Sequence, residues 1–263
     1  MSKKKTTKKN NDWVNSFIQD EDKIYELNTK EAIDKLTEAC VKSQKDILKE
    51  LSALTSINDN AKKTDREKAL KESYNNISSI LDKLEARYGS TVTESLNKTY
   101  SQSYSNIISL LKKLEHDIRK SKPSNVKNII KTKWTGIGFI DRIKYNISVL
   151  KYKIKDAIST GFMRKDSLRN ISRAISKSIS SSFNNLKSLV RTEVQAVQIK
   201  ANVDNYKSND IEKVRVSTIL DDRTCSNCSS HKDKIVRLDK SIIGKDLPPF
   251  HTHCRCVIIP VLD

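Results

Sequence analysis

The amino-acid sequence predicts a mainly α-helical protein: an elongated helical bundle or coiled coil in the N-terminal part, followed by a small C-terminal α+β unit of about three strands. Apolar residues recur at three- and four-residue steps along most of the chain, which is the spacing of one helix face. Only 5 glycines and 4 prolines occur in 263 residues, which argues against an all-β or loop-rich body. After Asp210 the apolar pattern becomes alternating, and this change predicts strands.

The chain opens with a basic tail. Residues 1–12 are polar and lysine-rich, so they are expected to be disordered. Helical spacing then runs from Trp13 to Ile57. Cys40 lies on the apolar stripe of this helix and is predicted to be a small core residue.

Two further helices complete the N-terminal part. One begins at a capping box formed by Thr64 and Glu67, and Gly89 is expected to end it. The next helix runs on to the region before Pro123. Residues 13–123 are therefore predicted to form a helical basic extension.

The central part is also predicted to be helical. A short helix at residues 124–130 leads to a sharp turn at residues 134–139. Three more helices are expected at residues 139–161, 166–186 and 188–206, because apolar residues again recur on one face of each.

The last 51 residues form the predicted α+β unit, 213–263. Alternation at residues 213–220, a second stretch at 234–238 and an almost wholly apolar one at 256–261 predict its strands.

The net charge of +18, from 50 basic and 32 acidic residues, predicts a polyanionic partner. Because the charge is spread along the chain, we expect non-specific contact with double-stranded DNA. General solubility, or an anionic protein or lipid partner, would also account for the charge. No stretch approaches the eighteen consecutive apolar residues of a membrane span, and no secretory signal is expected at the start.

Cysteine and histidine cluster near the C-terminus, where four of the five cysteines and three of the four histidines lie between residues 225 and 256. Two cysteines separated by two residues present both thiolates to one ion, and a second pair completes the tetrahedron that structural zinc prefers. We therefore predict a structural zinc that clamps the α+β unit. The candidate ligands are Cys225, Cys228, His251, Cys254 and Cys256.

Several alternatives stay open at this cluster. The cysteines could instead form disulfides, which a reducing cytoplasm disfavours, or remain buried thiols. His231 is either a further ligand or an exposed loop histidine. Cys254 and Cys256 alternate along an apparent strand, so they are expected to face the same way.

Residues 124–263 resemble the Mu F-like head morphogenesis family, the minor head (minor capsid) proteins of tailed phages. The resemblance rests on short elements taken in chain order: Trp134-Thr135-Gly136 with Asp141-Arg142-Ile143, then Arg191-Thr192-Glu193, then Asp222-Arg223-Thr224-Cys225 with Cys228, then Pro248-Pro249-Phe250-His251 with Cys254-Arg255-Cys256. Two features depart from the family pattern: His253, where a small polar residue is more usual, and the turn at residues 229–233, where a glycine is expected.

The resemblance implies a structural virion protein present in few copies, made in the host cytoplasm and located in the phage head interior near the portal. It implies a role in procapsid assembly, with the portal and the major capsid or scaffold protein as partners. Some family members bind DNA and leave the capsid with the genome.

We expect no enzymatic activity and no catalytic residue. The alternatives are a zinc-clamped DNA-binding adaptor and a metal-dependent nuclease. The nuclease requires a helix after the strands to bring further metal ligands, and only seven residues follow Cys256 in this sequence.

Overall fold

A computed structural model describes residues 3–55, 63–119, 136–218 and 224–262. The helices and strands, in chain order, are α1 (Lys3–Thr55), α2 (Lys63–Lys113), α3 (Phe139–Met163), α4 (Leu168–Ser208), β1 (Lys213–Ser217), α5 (Ser226–Ser230), β2 (Ile235–Arg237) and β3 (Val257–Val261). The mainly helical class and the small three-stranded C-terminal sheet are confirmed. None of the helices in these ranges is long and apolar enough to cross a membrane.

Helix α1 begins at Lys3 and so takes in most of the stretch for which the sequence predicts a disordered tail. Its buried stripe includes Leu36, Cys40 and Ile47, so the prediction that Cys40 is a core residue is confirmed.

The predicted helix end at Gly89 is wrong, because α2 continues through this residue as one helix of 51 residues. Tyr88 and Val92 are both buried, so the apolar stripe passes the glycine without a break. A glycine inside a helix costs only about 1 kcal/mol relative to alanine, and burial of the stripe on both sides outweighs that cost.

Helix α4 replaces two predicted helices. A break near residue 187 is wrong, because Leu186, Val190 and Val194 are all buried and keep one stripe in register across it. The N-terminal cap is also one residue later than a cap at Asp166 would be. The Ser167 hydroxyl accepts a hydrogen bond from the Asn170 amide at 3.3 Å.

The packing divides the chain into two compact units. Unit 1 comprises Met1–Ala32, Thr93–Phe139 and Ser188–Asp263, and unit 2 comprises Ile33–Val92 and Ile140–Lys187. The predicted boundary at residues 123–124, the short helix at 124–130 and Trp134 all lie outside the described residues and stay predictions.

Unit 1 contains the sheet, whose strand order is β2-β1-β3 with antiparallel pairing throughout. In the centre of the sheet, Val214 pairs with Val236 and Val216 pairs with Ile258. One buried cluster joins the inner face of this sheet to Phe17 of α1 and to apolar residues of α2 and α4, among them Ile107, Leu111, Ile199, Val203 and Tyr206.

The outer edge of β3 is covered by side chains of α4. Gln195 donates to the carbonyl oxygen of Cys256 at 2.7 Å, and the Tyr206 hydroxyl donates to the carbonyl oxygen of Ile258 at 3.1 Å. These carbonyls therefore face away from β1. By the alternation of an antiparallel ladder Pro260 faces the same way, and a proline has no N–H to present there.

Candidate metal centre

The first half of the centre is a single turn of helix that follows β1. Cys225 is the N-cap residue of α5, and its sulfur accepts a hydrogen bond from the Cys228 amide at 3.4 Å. This turn places both sulfurs on the same side, with Cys225 exposed and Cys228 buried. The predicted geometry of the first cysteine pair is present.

The second half lies on the chain that enters β3. The Cys254 amide donates to the His251 carbonyl at 3.2 Å, which closes a tight turn between these two residues. Cys254 and Cys256 are each 1% exposed, and both sulfurs lie close to that of Cys228, so they face the same way, as the alternation predicts.

The structure brings all five predicted ligands together. They form two groups that share Cys228, and within each group the ligand atoms lie within 4.8 Å of one another; the groups are Cys225, Cys228 and His251, and Cys228, Cys254 and Cys256. His251 Nε2 lies 2.9 Å from Cys228 Sγ and 3.2 Å from Cys225 Sγ. Cys228 Sγ lies 3.8 Å from Cys254 Sγ.

One of these three distances matches a tetrahedral zinc site, and the other two are shorter than it requires. Zinc bond lengths imply edges of about 3.8 Å between two sulfurs and about 3.5 Å between sulfur and nitrogen. The Cys228–Cys254 distance of 3.8 Å equals the first value. The two contacts of His251 at 2.9 and 3.2 Å are shorter than the second, so the imidazole would move outward by a few tenths of an ångström around an ion.

The ring of His251 is oriented by its other nitrogen. Nδ1 lies 2.7 Å from the carbonyl oxygen of Thr252. Because a carbonyl oxygen only accepts, Nδ1 carries the hydrogen and Nε2 presents its lone pair to the sulfurs. This arrangement is typical of histidines that bind metals.

The other described histidines lie elsewhere. His231, the half-buried C-cap residue of α5, stacks on Phe250 with ring centroids 3.9 Å apart. His253 Nε2 contacts the Ser188 hydroxyl at 3.1 Å, and His116 Nε2 contacts the Asn209 carbonyl at 2.9 Å.

The thiols influence one another's ionisation. A hydrogen bond from the Cys256 sulfur lowers the pKa of Cys254 to about 6 despite its burial. Burial, followed by the negative charge of Cys254, raises the pKa of Cys228 to about 12. The pKa of Cys256 is also raised, first by that same hydrogen bond and then by burial. A divalent cation among these sulfurs would favour the thiolate forms that their mutual repulsion opposes.

The alternative of disulfide bonds finds no support in these distances. All five cysteines lie in the described ranges and all are free thiols. The 3.8 Å between the sulfurs of Cys228 and Cys254 is far from the ~2.05 Å of a bond.

Comparison with known proteins gives one family. Residues 152–259 match the model of the family described as Phage Mu protein F like protein. This segment is Mu F-like. The resemblance read from the sequence is confirmed, and it suggests a phage head morphogenesis protein. No curated protein and no solved structure matches the chain.

The Mu F-like segment runs from α3 to β3 and contains all five candidate ligands. It also contains the Arg191-Thr192-Glu193 element, in which Glu193 is buried and the Thr192 hydroxyl donates to the Ser188 carbonyl at 2.8 Å. Asp222 and Arg223, which contribute to the resemblance, lie outside the described residues.

Two residues of the Mu F-like segment support the cluster and were not predicted as part of it. The Thr218 hydroxyl donates to the Cys228 carbonyl at 3.1 Å and lies 3.5 Å from Cys256 Sγ. Gln195 holds the Cys256 carbonyl from α4. The alternation of Val214, Val216 and Thr218 along the first strand indicates that Thr218 faces inward. No sequence pattern marks Gln195.

Proposed function

We propose that this protein is a structural, non-enzymatic minor head protein of a tailed phage that acts in head morphogenesis. The observation that carries the proposal is that the Mu F-like match covers residues 152–259 and that this segment holds a Cys/His cluster built into a packed core. The match supports assembly of a phage head as the process in which the protein takes part.

The finer assignment follows from the same resemblance. The protein acts in procapsid assembly inside the head and near the portal. Its partners are the portal protein and the major capsid or scaffold protein. A small sheet that is held by α4 along β3 and by a metal clamp between α5 and the start of β3 would supply a rigid surface for such contacts.

The metal in this proposal is a structural zinc. The residues present fit it, because the sulfur–sulfur edge at Cys228 and Cys254 has the tetrahedral length and His251 presents an oriented lone pair. Zinc would join α5 to the segment that enters β3, and in a unit this small its binding would contribute directly to folding. The chain offers enough ligands to fill all four positions, whereas a catalytic zinc keeps one position open for water.

Contact with the phosphate backbone of double-stranded DNA is the second part of the proposal. Helix α4 carries five basic residues and no acidic one before Glu193. Arg169, Arg173 and Lys177 are exposed and spaced four residues apart, so they form one basic row along one helix face. Phosphate contacts of this kind are independent of sequence and sensitive to salt.

The test is incorporation during assembly. The full chain, tagged, is coexpressed with the portal, scaffold and major capsid proteins of the same phage, and purified procapsids are analysed by quantitative mass spectrometry. We expect a few copies per procapsid, and loss of incorporation when the portal protein is omitted. Absence from procapsids that assemble normally would contradict the proposal.

The metal-dependent nuclease is tested separately. Supercoiled plasmid is incubated with the purified protein and zinc, magnesium or manganese. We expect no cleavage; metal-dependent cleavage that is lost on substitution of His251 would favour the nuclease instead.

A further inference from the structure

A tetrahedral ion takes four donor atoms, and the cluster offers five in two groups that share Cys228. Cys225, Cys228 and His251 form one of the two close groups, and Cys254 and Cys256 join Cys228 in the other. The contacts of each donor distinguish the sulfurs that would bind an ion from the one that would not.

Three of the donors are identified by His251. Its Nε2 lone pair points at the sulfurs of Cys225 and Cys228, at 3.2 and 2.9 Å. Its Nδ1 is already engaged with the Thr252 carbonyl at 2.7 Å, so the ring has one orientation. An ion bound by His251 is therefore bound by both cysteines of the first pair as well.

The fourth donor is one of two buried sulfurs. Cys254 Sγ lies 3.8 Å from Cys228 Sγ, the edge length of a zinc tetrahedron. Cys256 Sγ lies within 4.8 Å of both of these sulfurs and also 3.5 Å from the hydroxyl oxygen of Thr218.

Thr218 shows what Cys256 does instead. The hydroxyl has one hydrogen, and it donates that hydrogen to the Cys228 carbonyl at 3.1 Å. The hydroxyl oxygen then faces Cys256 Sγ with lone pairs only, so it does not stabilise a thiolate at Cys256. The carbonyl of Cys256 is held independently by Gln195 at 2.7 Å. The main chain of Cys256 is thus held by Gln195 and its side chain contacts Thr218. Thr218 in turn holds the main chain of Cys228.

We infer that Cys225, Cys228, His251 and Cys254 hold the metal ion. Cys256 and Thr218 are positioning residues, which keep Cys228 in place and do not bind the ion. This assignment rests on the metal centre proposed above. It gives the ion three thiolates and one imidazole nitrogen.

Cobalt(II) substitution of the full-length protein tests the assignment, because the intensity of the sulfur-to-cobalt charge-transfer band counts bound thiolates. The comparison is between C254S and C256S, two equally buried cysteines two residues apart. We expect C256S to keep the wild-type band and C254S to lose about a third of its intensity, one thiolate of three. Far-UV circular dichroism of each variant confirms that it is folded.

The opposite pattern, with the band reduced in C256S and kept in C254S, would overturn the assignment while leaving the metal centre intact. A wild-type protein that takes up neither cobalt nor zinc would overturn the metal centre itself. The two failures are therefore distinguishable.

A second experiment addresses the bracing role. T218V removes the hydroxyl, and we expect metal transfer to a chromogenic chelator to become about tenfold faster with an unchanged cobalt band. The matched control is T192V, which loses a hydroxyl-to-carbonyl hydrogen bond of 2.8 Å in α4, outside the cluster. Equal release rates for T218V and wild type would contradict the bracing role.

Discussion

The side-chain amide of Gln198 in α4 donates to both the carboxylate and the main-chain carbonyl of Glu21 in α1, each at 2.7 Å. Glu21 is completely buried, and Asn106 of α2 and Asn202 of α4 donate to the same carboxylate at 2.7 and 3.2 Å. One acidic side chain therefore joins three helices of unit 1 through amide donors, with no ion pair to it among the described residues.

This arrangement predicts that stability falls as the pH rises. Burial raises the pKa of Glu21 from 4.5 to about 7, although the hydrogen bonds oppose the shift. A raised carboxyl pKa means that the folded protein holds the proton more tightly than the unfolded chain. The stabilisation is full below about pH 4.5 and is lost as the pH rises through about 7.

Glu21→Gln should remove this dependence. At pH 8 the variant should be more stable than wild type by up to about 3 kcal/mol, with no gain at pH 4.5. The side-chain oxygens of Gln198 and Asn202 accept no hydrogen bond within the described residues, so rotation of either amide would supply an acceptor for the new amide. Urea denaturation at both pH values measures the difference. The control is Glu31→Gln, an exposed carboxylate paired with Lys98, which should leave the profile unchanged.

Removal of the metal should unfold the C-terminal α+β unit, residues 213–263, selectively. We expect one zinc per chain by native mass spectrometry, and Cys225→Ser should lose it along with apparent binding free energy on the order of 10 kcal/mol. Most of the helical circular dichroism signal should remain, since the long helices α1 and α2 contribute none of the candidate ligands. Cys40→Ser, at a buried cysteine of unit 2, should retain the zinc. A melting temperature unchanged by chelator would argue against a structural role.

Neutralisation of the basic row on α4 should weaken DNA binding. R169Q/R173Q/K177Q should lower the slope of log affinity against log salt by about 3 if each residue contacts one phosphate. The control K42Q/K45Q/K49Q removes the same charge from α1, where Asp46 and Glu50 are interspersed. Fluorescence anisotropy with two unrelated duplexes measures both sets. Equal losses for the two triple variants would mean that net charge, and not this row, binds DNA.

Two glycines of unit 2 should respond oppositely to alanine. At Gly89 an added Cβ would lie 3.6 Å from Ile140 Cδ1, an ordinary contact, so Gly89→Ala should stabilise the protein by about 1 kcal/mol. At Gly161 it would lie 2.5 Å from Ile171 Cγ1, so Gly161→Ala should destabilise it by about 1–3 kcal/mol. Thermal melts under one set of conditions compare them, and stabilisation by both would refute the close packing at Gly161.

The sequence predicts the elements well wherever burial follows a regular period. It predicts the five members of the cysteine and histidine cluster because the chemistry of those residue types is apparent from their spacing. It does not predict the continuity of α2 at Gly89, since a local helix-ending signal is outweighed by packing that only the folded chain provides.

The supporting contacts escaped prediction for a different reason. Glu21, Gln195 and Gln198 are ordinary helix residues, and their roles depend on partners that are distant in the sequence. Glu21 and Gln198 are 177 positions apart, and Gln195 and Cys256 are 61 positions apart. No periodicity reports a hydrogen bond of that range.

Pro260 has a consequence for how copies of this protein meet. An open strand edge is a template on which identical chains exchange strands and grow into fibres, and a crowded assembly makes that hazard acute. The carbonyls of Ile258 in β3 and of Cys256 just before it are already occupied by α4, and the proline offers no donor, so growth from this side is blocked. The opposite edge is β2, only three residues long. The sheet therefore offers a second copy only this short main-chain edge.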